Sequence, residues 1–471
     1  MAIGTAPISS VNPATGEILA SFEPHTADQV DEALGQAQDA FLAWRGRSFA
    51  ERAVPMHRLA AILRERADRY AKLMSLEMGK PITEARAEIE KCAGGCDFYA
   101  EHAARYLADQ PVTSNARTSY VAFEPLGIVL AVMPWNFPFW QVIRFAAPAL
   151  MAGNGAVLKH ASNVPQCALA IEEAFRDAGF PGGLFRTLLL VGGAVEPLIA
   201  DDRIRAVTLT GSSATGSQIA QAAGRALKKS VLELGGSDPF IVLNDADIAA
   251  AATTGVRARH QNTGQSCIAA KRFLLEADIA DDFERRFVEG VRALRIGDPL
   301  DAQTQIGPLA RPDLRENLER QVKESIRMGA RLVAGGKRWG ERGSFYTPTV
   351  LTDVTPDMPV FAEETFGPVA ALVRVADAEA AIDLANDTEY GLGANLWTRD
   401  IPRAEKIARR IESGQVFING MVASDPRLPF GGVKHSGYGR ELSAFGIHEF
   451  TNIKTVWIGP AQEQKAAPQA E

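Results

Sequence analysis

The stretch Gly127-Ile128-Val129-Leu130-Ala131-Val132-Met133 leads directly into Pro134-Trp135-Asn136. None of its seven side chains is charged or polar, which is typical of a strand buried on both faces. Similar apolar runs follow at 155–159, 188–191 and 206–210, with helical patterns such as 164–178 between them. Strands and helices that alternate in this way predict an α/β fold with a parallel sheet covered by helices on both sides.

The segments on either side extend this organisation. Apolar spacing predicts helices over 28–44, 50–78 and 83–107, the last with Glu88 facing solvent. Residues 112–123 are β-prone around a polar turn and predict an inserted hairpin. A second α/β unit is expected from Leu232 onward, and a last β-prone segment covers 450–458.

Composition limits the class of protein. A chain of 471 residues is too long for one core and predicts two to three domains. A net charge of −7 gives no basic surface for nucleic acid or an anionic membrane. Four cysteines do not suggest a disulfide framework, and no Cys/His set suggests a metal site. The first residues lack a signal-peptide pattern and no run of ~18 apolar residues occurs, so we expect a cytoplasmic protein.

Two residues on Gly-bearing turns suggest chemistry. Cys267 follows the polar turn Gln261-Asn262-Thr263-Gly264-Gln265-Ser266, and Glu233 precedes Leu234-Gly235-Gly236. A thiolate is the strongest side-chain nucleophile near neutral pH, and a carboxylate can activate the water that cleaves a thioester. We therefore predict Cys267 as nucleophile, with a lowered pKa if it heads a helix, and Glu233 as general base.

Two residues after the first buried strand complete the predicted site. The side-chain amide of Asn136 and the backbone N–H of Cys267 are expected to stabilise an oxyanion. Arg144 lies among Ile143, Phe145 and Ala146. Such an arginine is either half of a buried ion pair or a receptor for a substrate carboxylate, and both alternatives remain open.

A nucleotide cofactor is indicated by three further segments. Gly211 and Ser212 lie between a predicted strand and helix, where free N–H groups favour phosphate, although this signal is weak alone. Lys159 and Ser162 offer a cation and a hydroxyl where a carboxylate would favour NAD, so we expect NADP rather than NAD. Glu364 is predicted to hold the nicotinamide ribose and Phe366 to pack on the ring.

Taken together, these residues resemble the aldehyde dehydrogenase superfamily over about residues 12–457. Cys267, Glu233 and Asn136 match its nucleophile, general base and oxyanion residue, and Gly211-Ser212 and Glu364-Thr365-Phe366-Gly367-Pro368 match its cofactor motifs. The resemblance adds Trp135 and Leu234 to the cofactor-binding residues. It implies oxidation through a Cys267 thioester.

Within the superfamily, the chain is most similar to bacterial succinate-semialdehyde dehydrogenases, which implies a role in 4-aminobutyrate (GABA) degradation. The resemblance implies that Arg144 binds the substrate carboxylate. Some relatives carry a second arginine at the position of Gln261, and Ser424 is expected to substitute as a donor. Ala269 replaces a second cysteine found in some relatives, so no redox disulfide is expected beside Cys267.

The resemblance also implies the domain plan. Residues 1–111 and 127–232 would form a Rossmann-like cofactor domain, and 233–428 the catalytic domain. Segments 112–126 and 441–459 would form a small β arm that builds a homodimer or homotetramer, and 460–471 a mobile tail.

Two other activities remain open. A broad-specificity NAD(P)-dependent aldehyde dehydrogenase would share the same machinery. A CoA-acylating semialdehyde dehydrogenase would pass the thioester to CoA and would not need Glu233 as a base.

Overall fold

A computed structural model of the chain describes residues 7–459. The predicted mobile tail, 460–471, and the N-terminal segment searched for a signal peptide lie outside the described residues.

The helices are α1 (Ala27–Trp44), α2 (Phe49–Glu65), α3 (Ala67–Met78), α4 (Ile82–Tyr106), α5 (Trp140–Met151), α6 (Pro165–Asp177), α7 (Val195–Ala200), α8 (Ser213–Arg225), α9 (Ile248–His260), α10 (Ala277–Arg292), α11 (Pro312–Arg327), α12 (Pro359–Ala362), α13 (Ala378–Asn386), α14 (Ile401–Ala408) and α15 (Ser443–Glu449). Short 3-10 turns occur at Gly192–Ala194 and Gln261–Gly264.

The strands are β1 (Ile8–Val11), β2 (Ile18–Phe22), β3 (Gln110–Pro111), β4 (Thr118–Pro125), β5 (Ile128–Met133), β6 (Gly155–His160), β7 (Phe185–Thr187), β8 (Ile204–Thr210), β9 (Lys229–Glu233), β10 (Asp238–Val242), β11 (Ala270–Glu276), β12 (Arg331–Ala334), β13 (Thr349–Thr352), β14 (Val369–Val375), β15 (Tyr390–Gly391), β16 (Gly393–Trp397), β17 (Gln415–Ile418), β18 (Val433–Lys434), β19 (Gly437–Tyr438) and β20 (Thr451–Ile458).

The first large sheet has the order β19-β9-β8-β5-β6-β7. Its strands run parallel except β19, which pairs antiparallel with β9. The chain moves outward from β5 through β6 to β7 and then returns to the other side of β5 as β8. Such a reversal opens a crevice at the carboxyl ends of β5 and β8, where α/β proteins bind ligands. The predicted strand at 188–191 is wrong, because pairing with β6 ends at Thr187.

The second large sheet has the order β12-β13-β14-β11-β10-β16-β17, with only β12 antiparallel to its neighbour. The chain passes from one sheet to the other between Glu233, the last residue of β9, and Asp238, the first of β10. The two parallel sheets confirm the predicted α/β fold.

A separate three-stranded antiparallel sheet has the order β20-β4-β3 and is called here the arm. Its longest pairing joins Thr451–Ile458 to Thr118–Pro125 over eight residue pairs. The inserted segment therefore forms a hairpin that the end of the chain extends. Between β19 and β20, α15 packs against α4 and α5 beside the first sheet.

Helices α2 to α6 form one layer on the first sheet, around a core that includes Trp44, Tyr70 and Phe139. The prediction that Glu88 faces solvent is wrong, since only 4% of this residue is exposed. Its carboxylate pairs with Lys80 and accepts hydrogen bonds from the N–H groups of Phe139 and Trp140, both at 2.9 Å. A buried carboxylate of α4 therefore fixes the start of α5, next to Asn136.

No helix within residues 7–459 is long and apolar enough to cross a membrane. Over the same range, no group of three or more His, Cys, Asp or Glu side chains is arranged to hold a metal ion.

Candidate active site

Three carboxyl-terminal strand ends of the first sheet carry predicted site residues. Trp135 and Asn136 follow β5, Gly211 and Ser212 follow β8, and Glu233 ends β9. Since β5, β8 and β9 are parallel neighbours, these residues meet at one edge of the sheet. The sheet order alone therefore brings the predicted oxyanion residue, phosphate turn and general base together.

The turn before Cys267 has an unusual backbone. Asn262, Thr263 and Gly264 are all left-handed, with φ of 55°, 57° and 75°. Residues other than glycine rarely adopt this region, and such strain persists where surrounding contacts enforce it. Here the Nδ2 of Asn262 donates to the backbone oxygens of Asn136 (2.8 Å) and Gln265 (3.0 Å). The turn that carries the cysteine is thus held against the residue after β5.

The thiol of Cys267 is partly exposed and lines a cavity of about 180 Å³. It does not head a helix, so the predicted lowering of its pKa by a helix terminus is wrong. Burial instead raises the pKa of the Cys267 thiol to about 12, while the positive charges of Arg144 and Lys271 oppose this shift. Near neutral pH the side chain of Cys267 is therefore mainly a thiol.

Lys271 is a residue that the sequence reasoning missed. Its buried ammonium donates to the carbonyl oxygens of Cys267 (2.8 Å) and Ser266 (3.0 Å). The available signal was a lysine next to Arg272 at the start of a strand whose residues are all buried. The backbone N–H of Cys267, in contrast, donates to no group within residues 7–459. It is therefore available to an oxyanion, as an oxyanion donor requires.

The side chain of Asn136 is oriented by its neighbours. Gln141 donates to its Oδ1 at 3.1 Å, which assigns Nδ2 as the donor end. That Nδ2 donates one hydrogen bond to the carbonyl of Gln265 at 3.1 Å and keeps a second N–H. Gln141, on the first turn of α5, was not predicted, because only its contact with Asn136 reveals it.

Glu233 is only 2% exposed, and neither of its carboxylate oxygens accepts a hydrogen bond within residues 7–459. Burial raises its pKa well above the usual value, and the negative charge of Glu441 raises it further. The following turn reaches the predicted nucleophile: a Cβ at Gly236 would lie 2.7 Å from the carbonyl oxygen of Cys267. An unsatisfied carboxylate with a raised pKa beside a thiol is suited to proton transfer near neutral pH.

Arg144 lines the Cys267 cavity, but its charge is compensated. Its Nε pairs with the carboxylate of Glu441, and both side chains are at most 4% exposed. The guanidinium also lies 4.6 Å from the ring centre of Phe430 and donates to Thr210 Oγ1 at 3.4 Å. Of the two alternatives for Arg144, the structure contains the buried ion pair.

Gln261 and Ser424 also line this cavity, as the sequence predicts for substrate-facing residues. The Oγ of Ser424 accepts hydrogen bonds from Lys91 Nζ (2.6 Å) and Trp140 Nε1 (3.0 Å). Lys91 was not predicted, because its contact with Ser424 spans 333 residues.

The crevice between β5 and β8 suits a phosphorylated cofactor. Ser212 caps α8 by accepting from the N–H of Thr215, which leaves the first amides of an α-helix facing the crevice. Lys159, at the end of β6, is half-buried, and burial lowers its pKa. No carboxylate in the described part of the chain forms an ion pair with it. The Lys159 ammonium is largely removed from water and has no carboxylate partner there, so a phosphate group would complement its charge. The exposed Ser162 lies three residues further along the chain.

The other predicted cofactor residues lie close to one another. Trp135 and Phe366 meet edge to face with ring centres 5.7 Å apart. Glu364 accepts a hydrogen bond from the N–H of Gly236 at 3.0 Å, and burial raises its pKa. Leu234 is buried against α8, because a Cβ at Gly216 would lie 2.6 Å from its methyl groups. These residues join the cofactor crevice to the Cys267 loop.

Comparison with known proteins agrees with this geometry. The aldehyde dehydrogenase family matches residues 2–456. A probable succinate-semialdehyde dehydrogenase [NADP(+)] of Synechocystis sp. is 54% identical over 451 residues, which are 96% of this chain and 99% of the relative. Succinate-semialdehyde dehydrogenase [NADP(+)] 1 of Mycobacterium tuberculosis is 53% identical over 96% of this chain and its own full length.

Solved structures agree as well. Succinic semialdehyde dehydrogenase from Streptococcus pyogenes, in complex with NADP+, superposes with a TM-score of 0.94 at 38% identity. The superposition covers 96% of this chain and all of the other. Gox0499, whose structure concerns cofactor and substrate selection, gives 0.95 at 46% identity, with 96% and 100% coverage.

Proposed function

The chain belongs to the aldehyde dehydrogenase family, and we propose that it oxidises succinic semialdehyde to succinate with NADP+. One observation carries the choice of substrate. The proposed nucleophile Cys267 opens into a cavity of only about 180 Å³ whose wall also carries the cationic side chains Lys91 and Arg257. A small aldehyde with a negative charge at its far end is complementary to such a cavity.

The first half of the reaction uses Cys267 and Asn136. The Cys267 thiol gives its proton to water, and the sulfur of the resulting thiolate attacks the aldehyde carbon, so that the carbonyl oxygen takes up the negative charge. The free N–H of Asn136 and the backbone N–H of Cys267 are placed to stabilise that oxygen. Bound NADP+ would supply the hydride acceptor whose reduction leaves the adduct as a Cys267 thioester.

The second half uses Glu233. Its carboxylate takes a proton from water, and the resulting hydroxide attacks the thioester carbon. The tetrahedral adduct then collapses to succinate, and the departing Cys267 sulfur takes the proton back from Glu233, which restores the thiol and the carboxylate. The raised pKa of Glu233 makes it a stronger base than an exposed carboxylate.

The cofactor role rests on residues around the first sheet. Gly211 and Ser212 would hold the pyrophosphate at the start of α8, and Lys159 with Ser162 would hold the 2′-phosphate. Glu364 would bind the nicotinamide ribose. Trp135, Leu234 and Phe366 would pack around the ring. In this arrangement residues 1–111 and 127–232 would form the cofactor domain and residues 233–428 the catalytic domain.

The test follows reduced-nicotinamide absorbance with NADP+ or NAD+ and with succinic semialdehyde or propanal. We expect the highest kcat/KM with NADP+ and succinic semialdehyde. Equal kcat/KM on both aldehydes would contradict the proposed substrate and favour a broad-specificity aldehyde dehydrogenase. Formation of succinyl-CoA in the presence of CoA would instead indicate an acylating enzyme.

The arm supports a homodimer or homotetramer. Ile453 and Trp457 of β20 are 63% and 51% exposed, and β20 is an edge strand of its sheet. Exposed apolar edge strands are available for pairing with another chain. We expect the variant Ile453→Glu/Trp457→Glu to lower the mass measured by light scattering, while Leu42→Glu on α1 leaves it unchanged. An unchanged mass for the arm variant would contradict this assembly.

We also propose a cytoplasmic location. Cys92, Cys96 and Cys167 are buried free thiols, as expected where reductants keep cysteines reduced. Cell fractionation that recovers the activity outside the cytoplasmic fraction would contradict the proposal.

A further inference from the structure

The cavity that contains Cys267 adjoins a larger one of about 580 Å³. The two share the side chains of Lys91, Phe137, Trp140, Arg257 and Gln261. Lys91, on α4, lies where the two cavities meet, because its side chain lines both of them. A substrate that reaches Cys267 through the larger cavity passes this lysine.

Lys91 differs from Arg144 in its electrostatic surroundings. The charge of Arg144 is compensated by Glu441. Lys91 instead donates to Ser424 Oγ and lies 4.5 Å from the ring centre of Trp140. Among residues 7–459, no carboxylate forms an ion pair with it. A partly desolvated ammonium without a carboxylate partner favours binding of an anion.

Ser424 supplies the second half of the arrangement. Its oxygen already accepts two hydrogen bonds, from Lys91 at 2.6 Å and from the Trp140 indole at 3.0 Å. Both lone pairs are therefore used, and the hydroxyl hydrogen can only donate. An ammonium and a hydroxyl donor fixed side by side match the two oxygens of a carboxylate.

We propose that Lys91 is the specificity-determining cation that receives the distal carboxylate of the substrate, with the Ser424 hydroxyl as its companion donor. Gln261 carries no charge in this chain, so Lys91 on α4 provides a positive charge where Gln261 provides none. Arg257 lies one helical turn before Gln261 on α9 and lines both cavities. It extends the positive potential outward and favours the approach of an anionic aldehyde.

The test compares succinic semialdehyde with butanal, a neutral aldehyde of equal chain length, at saturating NADP+. For Lys91→Met we expect the ratio of kcat/KM values, succinic semialdehyde over butanal, to fall about 10- to 100-fold, the range for a lost hydrogen bond to a charged group. The loss should be mainly in KM. Lys91→Arg should recover most of the ratio, and the matched control Lys72→Met, at an exposed site on α3, should leave it unchanged.

The pH dependence gives an independent readout. Burial lowers the pKa of Lys91 to about 8, assisted by the charge of Arg144 on α5 and opposed by Cys92 and Glu88 on α4 and Asp425 beside Ser424. Since the ammonium exists below this pKa, preference for succinic semialdehyde should decline as the pH rises above about 8. A lysine that only supports the fold would not produce a decline confined to the anionic substrate.

This inference rests on the proposed function, and the outcomes separate the two. If the wild-type enzyme does not prefer succinic semialdehyde, the proposed function fails. If the wild type prefers it and Lys91→Met keeps the wild-type ratio, only the role of Lys91 is overturned. Circular dichroism and thermal unfolding of each variant identify any that fail to fold. If Lys91→Met does not fold, Lys91→Gln replaces it. Loss of the preference for succinic semialdehyde in folded Lys91→Gln, with recovery in Lys91→Arg, supports the role of Lys91, and a preference that Lys91→Gln retains overturns it.

Discussion

The guanidinium of Arg144 is paired with the carboxylate of Glu441, and water reaches almost none of either side chain. The pair lies between two parts of the site. Its arginine faces the Cys267 cavity, and its glutamate acts electrostatically on Glu233. It therefore links the stability of the fold to the ionisation of the proposed general base.

Removing one partner should destabilise the protein more than removing both. Arg144→Met leaves the Glu441 carboxylate buried and uncompensated, which typically costs about 3–5 kcal/mol. Replacing both residues, in Arg144→Met/Glu441→Leu, should restore much of this loss because no buried charge remains. Urea-induced unfolding of the wild type, both single variants and the double variant measures the coupling. Losses that simply add would show that the pair does not act as a unit.

Glu441 should also control the pH dependence of turnover. Glu233 acts as a base only when ionised, so kcat should rise as the pH rises through its pKa. Burial raises that pKa, and the charge of Glu441 raises it further. Glu441→Gln removes this negative charge and leaves that of Arg144, so the acidic limb of the kcat profile should move to lower pH. The exposed control Glu101→Gln should leave the limb in place, and a shift to higher pH in Glu441→Gln would contradict the assignment.

Glu233→Gln should separate hydride transfer from hydrolysis. The glutamine fills the same space but cannot take a proton from water. We expect steady-state turnover to fall about 100-fold or more, as for loss of a general base. NADPH should still form in the first turnover. Stopped-flow absorbance would record it as a burst whose amplitude is close to the enzyme concentration. The surface variant Glu363→Gln should behave as wild type; loss of the burst in Glu233→Gln would place Glu233 before the thioester.

Lys159→Gln should weaken NADP+ selectively. If Lys159 contacts the 2′-phosphate, kcat/KM for NADP+ should fall about 10- to 100-fold, the range for a lost charged hydrogen bond. NAD+ lacks that phosphate and should be much less affected. Initial rates with each cofactor at saturating aldehyde measure this, with Lys72→Gln as the control. Equal losses with both cofactors would assign Lys159 a structural role.

The local parts of the site could be predicted from the sequence. Asn136 and Cys267 lie on turns and Glu233 ends β9, each beside an apolar run, and their residue types predict the proposed chemistry. The α/β fold followed from the same runs. The predicted pKa of Cys267 depended on a helix beginning at the cysteine, and no such helix forms because strand β11 begins at Ala270, three residues later.

Contacts between distant segments could not be predicted in this way. The face of α4 that carries Glu88 and Lys91 is a mixture of charged and apolar residues, and its spacing does not show that partners elsewhere bury the charges. Ser424 and Glu441 come from the last fifty residues, far in sequence from the residues they contact. For Arg144 the sequence left two alternatives, and the buried ion pair with Glu441 could not be foreseen because its partner lies 297 residues away.

The pairing of β19 with β9 has a consequence for how the protein is made. Gly437 lies opposite Glu233 in that pairing, and Glu441 follows four residues later. A ribosome must therefore synthesise nearly the whole chain before the environment of the base exists. A nascent chain that ends before residue 437 holds Cys267 without that environment. Chemical competence should thus appear late, after most of the two parallel sheets has been synthesised and has had time to fold.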